Sequence, residues 1–167
     1  MPGISIDATS SVHGTSWSHT IGSGSNRILM VCVDNWTVYD LTGVTFNGIP
    51  LTKLASSVSG FAGTFWNDVW YLIAPPVGTF TIVLQNTGQA HGVISGAAIS
   101  FFGVDQSLPI DGYQITQQGE VEGTNPCLAP VTPILDRSYL VCFASLTGDT
   151  GVVSNADSPW TERVESP

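Results

Sequence analysis

Apolar residues recur at every second position along most of the chain, the period of a half-buried strand rather than a helix. Ile4, Ile6 and Ala8 alternate with Ser5 and Asp7 in a first short strand. Trp17, His19 and Ile21 share one face of a second, and Ser16, Ser18 and Thr20 take the other. The run ILMVCV over Ile28–Val33 is apolar at every position, which suits a central strand covered on both faces. Val44–Leu54 reads VTFNGIPLTKL, and its Asn47-Gly48 pair predicts a hairpin, because a two-residue type I′ turn needs positive φ at both central positions. That turn sets Phe46 opposite Ile49 and Val44 opposite Leu51, all four on one side. Pro50 cannot donate to a ladder, so its strand belongs at a sheet edge.

The same pattern predicts strands over Val69–Ile73, from Phe80 to Leu84, over Val93–Phe102 and over Tyr139–Ala144. A polar edge strand over Ile110–Gln118 and a short last strand over Trp160–Val164 are also expected, with a loop over Glu120–Pro133. Gly96, Ala97 and Ala98 leave room for a close neighbour. No segment of helical length carries the helical period. About ten short strands separated by turn residues predict an all-β fold, an antiparallel β-sandwich of jelly-roll type, in a single domain spanning residues 1–167.

Composition narrows the partners. The 167 residues include 4 Lys and Arg against 13 Asp and Glu, a net charge of −9. Nucleic-acid binding rests on clustered cations that displace phosphate counterions, and that surface cannot be assembled here. An anionic membrane would repel the chain, and no apolar run approaches the roughly 20 residues of a membrane span. The opening MPGISIDATS has no basic stretch leading into an apolar one, so no secretory signal is expected. Three widely spaced cysteines, Cys32, Cys127 and Cys142, do not form a disulfide framework. Cys32 and Cys142 sit in apolar runs and read as small buried hydrophobes.

Candidate chemistry is thin. The segment GSGSNR over Gly22–Arg27 looks at first like a phosphate loop. A phosphate loop, however, feeds a helix N-terminus, and here the strand-like ILMVCV follows, with Arg27 where a third glycine would stand. It reads instead as a turn joining two paired strands. His19 reads as a sheet-surface or rim histidine, with no G-x-S-x-G elbow to supply a nucleophile. His13, His19 and His91 fall in different segments without metal-ligand spacing, so neither a metal nor a cofactor is expected. Asp34, Asp40, Asp105 and Asp111 read as solvated loop carboxylates without calcium-loop spacing. No catalytic residue emerges. The aromatics are more informative. Trp36 and Tyr39 fall in a polar stretch, DNWTVYD, and Phe61, Phe65 and Trp66 in another, GFAGTFWND. Rings on polar loops mark contacts, with a protein subunit or with the face of a sugar.

WSHTIGSGSNRILMVCV, VTFNGIPLTKL, VWYLIAPPVGTFTIVL and GAAISFFGVDQSLPID together resemble a β-sandwich module that recurs in bacterial surface and secreted proteins and in bacteriophage structural proteins. The resemblance covers about residues 8–112. Its most specific parts are the WSHT-loop-GSGSNR element, the WYL-x-x-PP strand end and the SF-x-GVDQ-x-x-P segment. It implies framework positions and no catalytic ones. It also implies further strands after the Tyr139 region, so either a shortened sandwich or a neighbouring chain that completes the sheet is expected. The expectation overall is a non-enzymatic structural protein of a bacteriophage particle, a capsid decoration (cement) or tail component, located in the virion. Its partners would be copies of itself and major capsid or tail subunits. The alternative is a carbohydrate-binding or adhesion module of a bacterial surface protein, with a glycan on the aromatic residues.

Overall fold

The computed structural model describes residues 3–36, 41–59, 65–85, 94–114, 138–141 and 143. Among them lie nine strands and no helix: β1 (Ser5–His13), β2 (Ser16–Ile21), β3 (Ile28–Trp36), β4 (Gly43–Phe46), β5 (Ile49–Pro50), β6 (Thr52–Ser59), β7 (Phe65–Ile73), β8 (Gly78–Gln85) and β9 (Ile94–Phe102). They form a five-stranded sheet in the order β1-β9-β3-β7-β6 and a four-stranded sheet in the order β2-β8-β4-β5. All pairings are antiparallel, and the two sheets pack face to face as a β-sandwich. The pairing is nested. β1 lies beside β9, β2 beside β8 and β3 beside β7, as in one long hairpin closing on itself; β9 then also meets β3, and β8 meets β4.

Alternation explains the layers. In β2, Trp17, His19 and Ile21 are buried and Ser16, Ser18 and Thr20 exposed; in β8, Ile82 and Leu84 are buried between exposed Thr81, Val83 and Gln85. Leu29, Val31 and Val33 of β3 meet Phe46, Ile82 and Trp70 in the core between the sheets. The other face of β3 is covered too. Ile28 and Met30 join Ile99, Phe101, Ile4, Ile6 and Tyr71 in a second cluster, over which Val104, Ile110, Val141 and Phe143 pack. The doubly apolar ILMVCV run is therefore a central strand with a layer on each side, and Cys32 is half-buried within it.

The Asn47-Gly48 hairpin forms as the sequence predicts, with φ of 52° and 75° at the two positions. Phe46 pairs with Ile49, but Val44, Phe46 and Leu51 are buried while Ile49 and Pro50 are exposed. Pro50 does stand on an edge strand. Past it the chain crosses at Leu51 from the four-stranded to the five-stranded sheet, so this side of the sandwich is closed covalently.

Three expectations need correction. The Gly22–Arg27 link does not join paired strands: β2 pairs only with β8, and β3 with β7 and β9, so the link crosses between sheets. Nor do the described residues of Tyr139–Ala144 form a strand. Tyr139 and Leu140 are exposed, and Val141 and Phe143 pack on the outer cluster, so the apolar content of this stretch serves to cover a sheet. Ile110–Gln114 is likewise not a strand. The elements expected over residues 115–118, 120–133 and 160–164 lie outside the described residues.

Close approach accounts for glycines in the crossing link. A Cβ on Gly24 would sit 2.3 Å from the ring of Phe102, and one on Gly22 would sit 2.6 Å from the Asp7 carboxylate. Gly24→Ala should therefore destabilise the protein by about 1–3 kcal/mol through overpacking. Phe102→Leu should recover part of that loss, and a double-mutant cycle of denaturation midpoints measures the coupling.

Candidate functional site

The most organised polar constellation lies between the sheets, on a strand whose alternation forces a histidine inward. His19 stands between Trp17 and Ile21 on the buried face of β2 and is 1% exposed. This corrects the rim position expected for it. Its Nδ1 is 2.7 Å from Ser10 Oγ on β1 and its Nε2 3.1 Å from Ser100 Oγ on β9. Ser100 Oγ–H donates to Asp7 Oδ2 at 3.0 Å, and Gly22 N–H donates to the same oxygen at 2.9 Å. At the other end, Trp17 Nε1–H donates to Ser10 Oγ at 2.9 Å. A register shift between Ile6 and Ala8 leaves Asp7 as the extra residue of a bulge, the device by which a strand re-aims one side chain.

The proton positions follow from a count of donors. Ser100 has one hydrogen and gives it to Asp7, so toward His19 it can only accept, and Nε2 must carry the imidazole proton. Nδ1 is then an acceptor, served by the Ser10 hydroxyl. The chain runs one way, from the Trp17 indole through Ser10, His19 and Ser100 to Asp7, and aligned bonds of this kind polarise one another. Burial pushes the His19 pKa from 6.5 down to about 4, against the opposing pull of the Asp7 carboxylate.

Serine, histidine and aspartate within one network invite comparison with a hydrolase triad, but the connectivity differs. In a triad the carboxylate holds the imidazole, and the imidazole faces the free hydroxyl. Here the carboxylate holds the serine, the serine's hydrogen is committed to it, and Ser100 is wholly buried. This arrangement suits bracing of two sheets, not attack on a substrate.

A second constellation closes one end of the sandwich. Arg27 donates from Nη1 to Gly24 O at 2.7 Å and from Nε to Pro75 O at 3.0 Å. Gly103 N–H meets Ser25 O at 3.1 Å, Val104 N–H meets Asn26 O at 2.9 Å, and Ala74 N–H meets Arg27 O at 3.0 Å. Gln106 Nε2 donates to Arg27 O and Val104 O at 3.2 and 3.0 Å. GSGSNR, the APP strand end and GVDQ thus meet in space and tie one another's backbones. No helix follows the glycine link, and Asn26, at φ 56°, turns the chain into β3.

The aromatic candidates are distributed differently from the expectation. Trp36 ends β3 and Phe65 begins β7, so both lie in strands, where they are direct register partners. Trp66 occupies the next register position, opposite Asn35, and its indole Nε1 is buried without a hydrogen-bond partner among the described residues. Tyr39 and Phe61 lie outside the described residues. Polar neighbours made these stretches read as loops. In the fold, Asp34 pairs with both Asn67 and Ser95, and Ser95 pairs with His13, giving a polar row across neighbouring strands.

Of the remaining carboxylates, Asp105 Oδ1 accepts the N–H groups of Ser107 and Leu108 at 2.7 and 3.2 Å, and Asp111 accepts the Ser138 hydroxyl at 2.7 Å. Asp105 thus holds local backbone, and Asp111 ties its segment to the distant Ser138 side chain. Buried Asp68 pairs with Lys53 Nζ at 3.0 Å, and the ammonium lies 4.8 Å from the Trp70 ring centre. An inward-pointing lysine on edge strand β6 also discourages pairing with another sheet. An open hollow of about 300 Å³ lies against Leu54, Tyr71, Ile110 and Tyr113, with Asp111 its one charged lining residue. Among the described residues no three His, Cys, Asp or Glu side chains group as metal ligands. No family model, no curated protein and no solved structure matches the chain.

The direction of the buried chain is testable. Nitrogen-15 spectra of the imidazole at pH 7 should show the proton on Nε2 of His19. Ser100→Ala, which strips partners from both His19 and Asp7, should cost about 1–3 kcal/mol in chemical denaturation.

Proposed function

We propose that this chain is a non-enzymatic structural protein of a bacteriophage particle, a capsid decoration (cement) or tail component built on a jelly roll. The observation that carries the reading is the nested strand pairing of β1 with β9, β2 with β8 and β3 with β7, distributed over two sheets. That nesting is what a hairpin rolled into two Greek keys produces, and viral capsid domains use that architecture. Two further features support it. The His19 network joins the two sheets through the interior, which favours a rigid building block. GSGSNR, the APP strand end and GVDQ lock one end of the sandwich by bonds to one another's backbone. In this reading the protein resides in the virion and contacts copies of itself and capsid or tail subunits.

Jelly rolls also serve as lectin domains, and a fold alone does not choose between such uses. One observation favours the second reading, a carbohydrate-binding or adhesion module. Trp36 and Phe65 are register partners two positions along from the Asp34–Asn67 pair, so aromatic and polar positions adjoin at that end of β3 and β7.

Under the structural reading, mass spectrometry of purified particles finds the protein at a stoichiometry comparable to a coat component, and light scattering of the isolated protein gives a trimer or larger ring. A monomer that is absent from particles, yet binds particular sugars on a glycan array and loses them on Trp36→Ala, selects the adhesion reading instead.

A further inference from the structure

Each of the two long sides of this sandwich joins an edge strand of one sheet to an edge strand of the other. On one side β5 runs directly into β6 through buried Leu51, whose N–H donates to Val44 O at 2.9 Å. The chain joins the two sheets on that side at this one residue. On the other side β1 and β2 belong to different sheets and are joined by the chain only at Gly14–Thr15. Along the rest of their length, the side-chain bonds that span the gap among the described residues are those of Ser10 with His19 and Trp17, together with Asp7 to Gly22 N–H. The bond from His19 to Ser100 then ties β2 to β9 as well.

We propose that the Trp17–Ser10–His19–Ser100–Asp7 chain is an acid-sensitive latch, which holds the β1–β2 side of the sandwich shut and lets it part when the imidazole takes up a second proton. The geometry supplies the sensitivity. In the closed chain Nδ1 accepts the Ser10 hydroxyl hydrogen, and Ser10 Oγ accepts the Trp17 indole N–H. An imidazolium carries hydrogens on both nitrogens. Its Nδ1–H meets an oxygen that already accepts a donor, and the Ser10 hydrogen loses its acceptor. The new charge would sit where His19 is 1% exposed, beside the Phe46 ring at 6.4 Å between centres and opposite Phe80 in the ladder. The groups that face His19 are Ser10 and Asp7 from β1, Ser100 from β9, Phe80 from β8 and Phe46 from β4. Asp7 is the one charged group among them, and it reaches the ring through the Ser100 hydroxyl.

The sign follows from which state binds the proton better. The closed imidazole titrates near 4, and an imidazole released to water near 6.5. The open form therefore binds more protons between those values. Closure is at full strength above pH 6.5, weakens as pH falls through the window, and stops weakening below about 4. The shift between the two values corresponds to a change of about 300-fold in the opening equilibrium.

The test is backbone amide exchange against pH, corrected for the intrinsic pH dependence of exchange, with β2 and β8 compared to β6 and β7. Protection of β2 should fall by about 100-fold between pH 7 and pH 4, and approach the limit of about 300-fold only below that, with a smaller loss on the β6–β7 side. In His19→Gln, the side-chain amide can still donate toward Ser100 and accept from Ser10 but cannot be protonated in this range, so the pH dependence of β2 should vanish. A Gln variant with the wild-type profile overturns the proposal, as does a loss spread evenly over both sides. A titration of the His19 ring in the unsubstituted protein needs no variant. A midpoint near 4 that tracks the exchange of β2 supports the latch, and a midpoint at the free-imidazole value refutes it.

Discussion

The constraint on which this sandwich depends is that an imidazole drawn into a core is costly unless its nitrogens find partners there. An unpaired buried polar group costs about 1–3 kcal/mol. β2 places His19 inward by simple alternation, and the fold meets the cost with a directed chain through Ser10, Ser100 and Asp7. The rest of that corner follows. The bulge at Asp7 exists where the carboxylate must reach both Ser100 Oγ and Gly22 N–H, and Gly22 must lack a side chain because a Cβ would strike that carboxylate. Gly96 is a glycine because the Trp17 ring, whose indole N–H begins the chain, lies within 2.6 Å of where its Cβ would be.

Layering is the second consequence of burial. β3 is central in its sheet and apolar on both faces, so the five-stranded sheet needs cover on the side away from its partner sheet. Val104, Ile110, Val141 and Phe143 provide that cover without pairing as strands, and the Tyr139 ring lies 5.0 Å from that of Phe101. Among the described residues, an irregular third layer thus covers the outer side of the five-stranded sheet. The outward face of the four-stranded sheet carries Ser18, Thr20, Thr79 and Thr81 to solvent, with the Thr20 and Thr79 hydroxyls bonded across the ladder at 2.8 Å.

Much of this was legible in the sequence where a local rule governs the outcome. Asn47-Gly48 encodes its own turn, and the alternation of SWSHTI and TFTIVL states which residues face inward. What local rules do not encode is the partner. A short glycine link looks the same whether the next strand pairs beside the last or crosses to the opposite sheet, and the choice here is made by Thr79 and its neighbours, 59 residues from Thr20. His19 was misread because its polarity was given more weight than its place between Trp17 and Ile21. The groups that make its burial tolerable lie 9 and 81 residues away. Trp36, Phe65 and Trp66 read as loop residues because Asp and Asn flank them, yet those polar residues are the rungs of a ladder that crosses neighbouring strands. The bulge could not be foreseen at all, since Asp7 occupies a position where alternation already expects a polar residue.

The division of labour along the molecule bears on where partners would attach. The end built from GSGSNR, Pro75 and GVDQ has its described polar backbone turned inward on itself through Arg27 and Gln106. The opposite end carries the Trp36–Phe65 register pair and the row from His13 to Asn67, whose side chains the ladder alone does not require. A protein that locks one end by backbone bonds leaves the strand ends opposite as the place where partners would attach. Specific contact, with a subunit or with a sugar, is therefore expected there, because loops and strand ends carried by a rigid scaffold are where recognition can vary independently of stability.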